Sequence, residues 1–192
     1  MRFDKEAIFW DEKPRRVELA NNVCEYVNEY ISSKTKILDF GCGTGLVSLN
    51  LCQKVDEIIG VDLSCEMVNI YNQKAKKLNC NAVGLCEDVN NVNKKFDMIV
   101  SSMVFHHIED IENMLNILSD KLVENGKLFI ADLFQEDGSF HDKGNGDVFH
   151  FGFDKEDFTN KNFKIDNFQK IYTISKHKKF DVFIIELTKC FS

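Results

Sequence analysis

Three glycines spaced two apart, Gly41, Gly43 and Gly45, follow the run Ile37-Leu38-Asp39-Phe40, and the next apolar run ends in an acid, Asp62, 21 residues after Gly41. Glycines at such a turn let backbone approach a ligand closely, and a helix opening behind them adds roughly half a positive charge. That arrangement suits a carboxylate or phosphate, with Asp62 set to accept hydrogen bonds from both hydroxyls of a ribose. Further on, Cys86-Glu87-Asp88-Val89 and Ser101-Ser102-Met103-Val104-Phe105-His106-His107 each close an apolar run. Imidazole titrates near neutral pH, so His106 suits the orientation or deprotonation of a second reactant. Phe140, His141, Phe149, His150, Phe151 and Phe153 add an aromatic stretch able to wall off a flat or apolar molecule.

These groups need a scaffold, and the apolar periodicity describes one. Ala20, Val23, Val27 and Tyr30 or Ile31 recur at three and four, which predicts helices within the first 35 residues, with Pro14 near a helix start. From residue 36 short strands alternate with amphipathic helices. Lys36–Phe40 is a strand, followed by the glycine turn and a helix from near Leu46. Glu57–Leu63 is a second strand, followed by a helix whose face is Met67, Tyr71, Ala75 and Leu78. Ala82–Cys86 and Phe96–Ser101 are strands three and four. Ile111, Leu115, Leu118 and Leu122 mark a further helix, stopped by Asn125-Gly126 before the strand Lys127–Leu133. Alternation of this kind implies right-handed crossovers and a parallel sheet covered on both faces. The tail breaks the rule, because Lys164–Ile174 and Phe180–Leu187 are joined by a short Lys/His turn and should pair antiparallel at the sheet edge.

A nucleotide-like ligand at the glycine turn belongs to one of two classes, a dinucleotide or S-adenosylmethionine. The dinucleotide fingerprint G-x-G-x-x-G requires a third glycine where this chain has Leu46 or Ser48, depending on register. The form present, G-x-G-x-G after Ile37-Leu38-Asp39-Phe40, resembles motif I of the class I S-adenosylmethionine-dependent methyltransferases, in their small-molecule branch. The antiparallel pair after strand five is also similar to that family's hallmark. The resemblance implies an α/β, doubly wound, Rossmann-like sheet of seven mostly parallel strands with an antiparallel C-terminal edge pair and an N-terminal helical cap. It implies one domain over 1–192, with a cap over 1–35 and a lid over 134–160 above an acceptor pocket.

By the same resemblance, Asp39 with the backbone of Gly41, Cys42, Gly43 and Gly45 holds the methionine end of the cofactor, and Asp62 the ribose. Leu63, Met67, Glu87, Asp88 and Val89 surround the adenine, with Asp88 accepting from its amino group. Ser101, Ser102 and Met103 line the wall beside the methyl group. On the acceptor side stand Trp10, Phe105, His106, Asp132, Phe140, His141 and His150, with His106 and His150 as candidate bases, and Arg15 or Arg16 is set to meet a carboxylate. A His pair opening a helix also serves packing, and the Phe residues also glue a lid to a core; these readings stand beside the chemical ones. His141 and His150 with Asp142 and Asp147 lack recognised ligand spacing, and no metal is expected.

The only proline, Pro14, excludes the Asp/Asn-Pro-Pro-Tyr loop of the family's branches acting on base or glutamine amides, and the Pro-Cys nucleophile of cytosine-C5 enzymes. A net charge of −7, from 24 Lys and Arg against 31 Asp and Glu, argues against nucleic acid and for a small-molecule acceptor. The seven Cys residues include no C-x-x-C pair, so reduced, small buried thiols in a cytoplasmic protein are expected. No apolar run is long enough for a membrane span, no secretory leader is recognisable, and no oligomeric state follows. A non-catalytic S-adenosylmethionine-binding protein or partner-activating subunit, and a nicotinamide oxidoreductase, remain as alternatives.

Overall fold

The computed structural model describes residues 2–141 and 147–191. A seven-stranded sheet runs through the molecule in the order β3-β2-β1-β4-β5-β7-β6. Its strands are β1 (Lys36–Phe40), β2 (Glu57–Asp62), β3 (Ala82–Cys86), β4 (Phe96–Ser102), β5 (Leu122–Leu133), β6 (Phe163–Ser175) and β7 (Lys179–Lys189). The first five pair in parallel, and β7 lies antiparallel between β5 and β6. The helices are α1 (Arg2–Glu6), α2 (Pro14–Val27), α3 (Cys65–Lys77) and α4 (Ile111–Lys121). This is the doubly wound architecture expected from the alternating pattern.

The period-two alternation of β1 sorts its side chains between two cores. Leu38 and Phe40 pack with Ile111, Leu115 and Leu118 of α4. Ile37 faces the other way, with Leu19, Val23 and Val27 of α2. Helix α3 lays the buried ring of Tyr71 over β2 and β3, where Gly60 and Gly84 stand in register. A Cβ at either glycine would come within 3.1 Å of that ring or closer. Two bare strand positions thus form the floor on which an aromatic side chain seats.

Three expectations are corrected. Behind the glycine turn the chain makes only a 3-10 turn, Ser48–Asn50, and no α-helix starts near Leu46. Val47, Ser48 and Asn50 are weak helix formers, and the Asn50 side chain donates to the Leu46 carbonyl at 2.8 Å, competing with a helical ladder. Helix α4 ends at Lys121, whose ammonium reaches the carbonyls of Asn90 and Val92, and Leu122 already pairs with Phe96. Asn125, at φ 59°, therefore turns a bulge inside β5 rather than stopping the helix. Finally, four of the thiols expected to be reduced form disulfides, Cys52–Cys80 and Cys65–Cys86, while Cys24, Cys42 and Cys190 are free. Neither pair is close in sequence; strands β2 and β3 bring them together.

Candidate active site

Strand order reverses between β1 and β4, and a crevice opens at the C-terminal ends of strands at such a point. Here it is a cavity of about 350 Å³, within the range of small-molecule sites. Asp39, Gly41, Cys42, Gly43, Asp62, Leu63, Met67, Glu87, Asp88, Val89, Ser102 and Met103 all line it. Gly45 and Ser101 do not. Gly45 packs against Leu49 and Tyr71 behind the turn, and the buried Ser101 hydroxyl donates to the Phe40 carbonyl at 2.9 Å.

Asp39 dominates the electrostatics of this cavity. It is buried, and its Oδ2 has no hydrogen-bond partner. Burial raises its carboxyl to about 7, the nearby Asp62 charge adds to the rise, and hydrogen bonding to Ser48 opposes it. An ammonium group in the cavity would complete this carboxylate. Asp62, on the neighbouring strand, accepts the Gly43 N–H on Oδ2 at 2.9 Å and the Ser64 N–H on Oδ1 at 2.8 Å.

The glycines act by absence. At Gly41, φ +72°, a Cβ would lie 2.2 Å from Val104 Cγ2, whereas at Gly43, φ +49°, it would meet nothing within 4 Å. The backbone at Gly43 is therefore open to close approach. Four N–H groups of the turn are engaged within the protein rather than held for a ligand. Those of Gly41 and Cys42 donate to the Val61 carbonyl at 2.9 and 3.0 Å, Gly43 to Asp62, and Gly45 to the Cys42 carbonyl at 2.8 Å. With no helix behind the turn, its backbone closes on β2 instead.

The roof comes from the first residues of the chain. Phe3, Trp10 and Arg16 line the cavity, with the Arg16 guanidinium 3.3 Å from the Trp10 ring centroid and 2.9 Å from Glu6. Two side-chain bonds fasten this strap to opposite rims. Ser64 donates to Asp4 at 2.6 Å, and Thr44 to Asp11 at 2.5 Å. No described residue of 134–160 lines the cavity, so the expected lid does not form its roof.

Of the acceptor-side candidates, only Trp10 lines the cavity. Phe105 is in the core against Phe40 and Phe158. Phe140 packs on Phe180, and His150 meets the Ile108 carbonyl through Nε2 at 2.9 Å. His106 is buried, with Nδ1 2.7 Å from the wholly buried Asp132. The histidine that lines the cavity is His107, which the sequence reading passed over. Both lie on the 3-10 turn Phe105–His107, where their rings touch yet meet different surroundings, His106 the Asp132 carboxylate and His107 the cavity. Burial, with the charge of His106 adding to it, holds the His107 imidazole below its ordinary titration range. Among the described residues His106, His107 and His141 also come together, where no metal-ligand cluster was expected; Asp142, considered in that context, lies outside the described residues.

No helix among the described residues is long and apolar enough to cross a membrane. A model of the methyltransferase domain family matches residues 12–177. An uncharacterized methyltransferase of Schizosaccharomyces pombe is 39% identical over 125 residues, 59% of this chain and 44% of that protein. The ubiquinone biosynthesis O-methyltransferase of Pelagibacter ubique is 32% identical over 100 residues, 51% of this chain and 42% of that protein. The chain thus spans about half the length of these curated relatives. In fold, it matches an S-adenosylmethionine-dependent methyltransferase from Clostridium acetobutylicum with a TM-score of 0.72 at 19% identity, over 100% of both chains. With the sheet order, the crevice at its reversal and the two acids that flank the glycine turn, the match over most of its length establishes that this chain belongs to the class I S-adenosylmethionine-dependent methyltransferases.

Proposed function

We propose that this methyltransferase acts on a small-molecule acceptor, held between the strap and the wall formed by Met103, Val104 and His107. The observation that carries the reading is the buried carboxylate of Asp39, with its Oδ2 unpartnered, beside Asp62 in a cavity roofed by Phe3 and Trp10. Asp39 holds the methionine ammonium of the cofactor, Asp62 takes the ribose hydroxyls, and Glu87, Asp88 and Val89 meet the adenine. The cofactor's positive sulfur supplies a reactive methyl group and a leaving group. What the protein adds is alignment and exclusion of water, effects worth about 7 to 11 kcal/mol when the geometry is good.

A base is needed only for acceptors that carry a proton at neutral pH, and His107 is the imidazole on the cavity wall for that task. The net charge of −7 supports a small acceptor over nucleic acid. The similarity to the ubiquinone biosynthesis O-methyltransferase of Pelagibacter ubique supports beginning with oxygen acceptors. One domain, with residues 1–35 as cap, accounts for the fold. A cytoplasmic location belongs to the same reading and makes the disulfides redox-labile, since cytosolic thiols are kept reduced.

The test is turnover to S-adenosylhomocysteine with a panel of phenols, amines, thiols and carboxylates. Turnover with one class is expected. Tight cofactor binding without turnover on any of them would favour a non-catalytic binding role, and preference for a nicotinamide coenzyme would remove the reading altogether.

A further inference from the structure

Three imidazoles meet at the rear of the acceptor wall. The rings of His106 and His107 lie 4.1 Å apart, centre to centre, and His141 lies 4.8 Å from His106 and 6.0 Å from His107. One ligand atom from each lies within 4.8 Å of the other two. Around a tetrahedral ion with bonds of about 2.0 to 2.1 Å, nitrogens stand roughly 3.4 Å apart. Side-chain rotations on the order of an ångström would close the set.

The surroundings already orient two of the rings. Asp132 meets His106 Nδ1 at 2.7 Å and is itself held by the backbone N–H groups of His106 at 3.2 Å and Leu133 at 2.8 Å. With Nδ1 as the N–H, His106 Nε2 carries the lone pair, which is the carboxylate–imidazole support usual behind a metal ligand. The Nδ1 of His107 meets the Asp147 carbonyl, so its Nε2 likewise carries the lone pair. Three buried or half-buried imidazoles in contact repel one another when protonated, and a cation supplies the charge that neutral rings can bind.

We propose that His106, His107 and His141 bind one divalent transition ion of the zinc type, with a further coordination position toward the cavity that His107 lines. Asp132 acts as a positioning residue through His106. In that position the ion would polarise an acceptor oxygen and ease loss of its proton, replacing the base role of His107, whose Nε2 lone pair it takes. This second role rests on the small-molecule reading, whereas ion binding rests on the histidines alone.

The test is titration of the metal-stripped full chain with Co(II), followed by visible absorption, with neither cofactor nor acceptor present. We expect saturation at one equivalent, the strong visible bands of a four- or five-coordinate ion, and displacement by Zn(II). His107→Asn and His141→Asn should each weaken binding at least tenfold, and Asp132→Asn by about 10- to 100-fold. His106 is buried, so the two half-buried histidines carry the test, with circular dichroism confirming that their variants fold. Absence of saturable binding would overturn the proposal. So would equal affinity in the His107→Asn/His141→Asn double variant, or a sulfur-to-cobalt band that survives in it and marks one of the free thiols, Cys24, Cys42 or Cys190, as the ligand. Because no methyl transfer is read, failure here leaves the proposed reaction standing, and failure of that reaction leaves the ion site standing.

Discussion

Asp62 and Gly43 are joined by a hydrogen bond of 2.9 Å from the backbone N–H to the carboxylate, so the acid proposed for ribose also pins the glycine turn. The same side chain anchors the start of α3 through Ser64. Asp62→Ala should therefore weaken cofactor binding by about 10- to 100-fold and also lower the melting temperature, because each hydrogen bond to a charged group contributes roughly 1.5 to 3 kcal/mol. Calorimetric titration and thermal unfolding read the two effects separately; undiminished affinity would remove Asp62 from the ribose site.

The cofactor's affinity should depend on pH through Asp39. Its folded carboxyl, raised from 3.8 to about 7, binds a proton that the unfolded chain releases at lower pH. The stabilisation of the ligand-free protein by this group is thus complete below about pH 4 and is lost as pH rises through 7. Pairing with an ammonium requires the ionised form, so affinity should climb from pH 5 to 7, level off above, and be accompanied by proton release below 7. Asp39→Asn should abolish the slope, weaken binding and stabilise the ligand-free protein at neutral pH. Calorimetry in buffers of different ionisation enthalpy measures the proton count, and a flat profile would argue against this pairing.

Cys65–Cys86 ties the first residue of α3 to the last of β3, between Asp62 and Glu87 on the cavity rim. Cys52–Cys80 closes the far end of the same layer. With sequence separations of 28 residues for Cys52–Cys80 and 21 for Cys65–Cys86, loop-closure entropy assigns about 3.5 kcal/mol to each bond. Dithiothreitol should lower the melting temperature and reduce cofactor affinity. Thiol titration of the denatured, oxidised protein should find three free thiols; seven would contradict the pairing.

Gly84→Ala should destabilise the fold by about 1 to 3 kcal/mol, since the added methyl enters van der Waals space held by the Tyr71 ring. Urea unfolding measures the loss. Adding Tyr71→Leu should recover part of it, because the obstruction goes with the ring.

Much of this arrangement was legible in the sequence, and the failures have local causes. Ile37–Asp39 and Phe96–Val100 announced buried strands because their neighbours on both faces are helices, and Asp62 was found because it ends a strand at a fixed interval from Gly41. The cavity-lining histidine was not legible because the spacing of a strand or helix says nothing of a three-residue turn, in which His106 meets Asp132 and His107 the cavity. Glycine spacing revealed the cofactor turn but not the destination of its N–H groups, which depends on the Val61 carbonyl of a neighbouring strand. Disulfides were invisible for the same reason: Cys65 and Cys86 become neighbours only after β2 and β3 pair.

Ser64–Asp4 and Thr44–Asp11 hold the strap across the cavity from both sides, so the passage of a molecule the size of the cofactor requires at least one of them to let go. A chain with Asp4→Ala and Asp11→Ala should exchange donor and spent product faster while holding each less firmly, as stopped-flow binding would measure; exchange rates equal to those of the intact chain would show that neither bond is a latch.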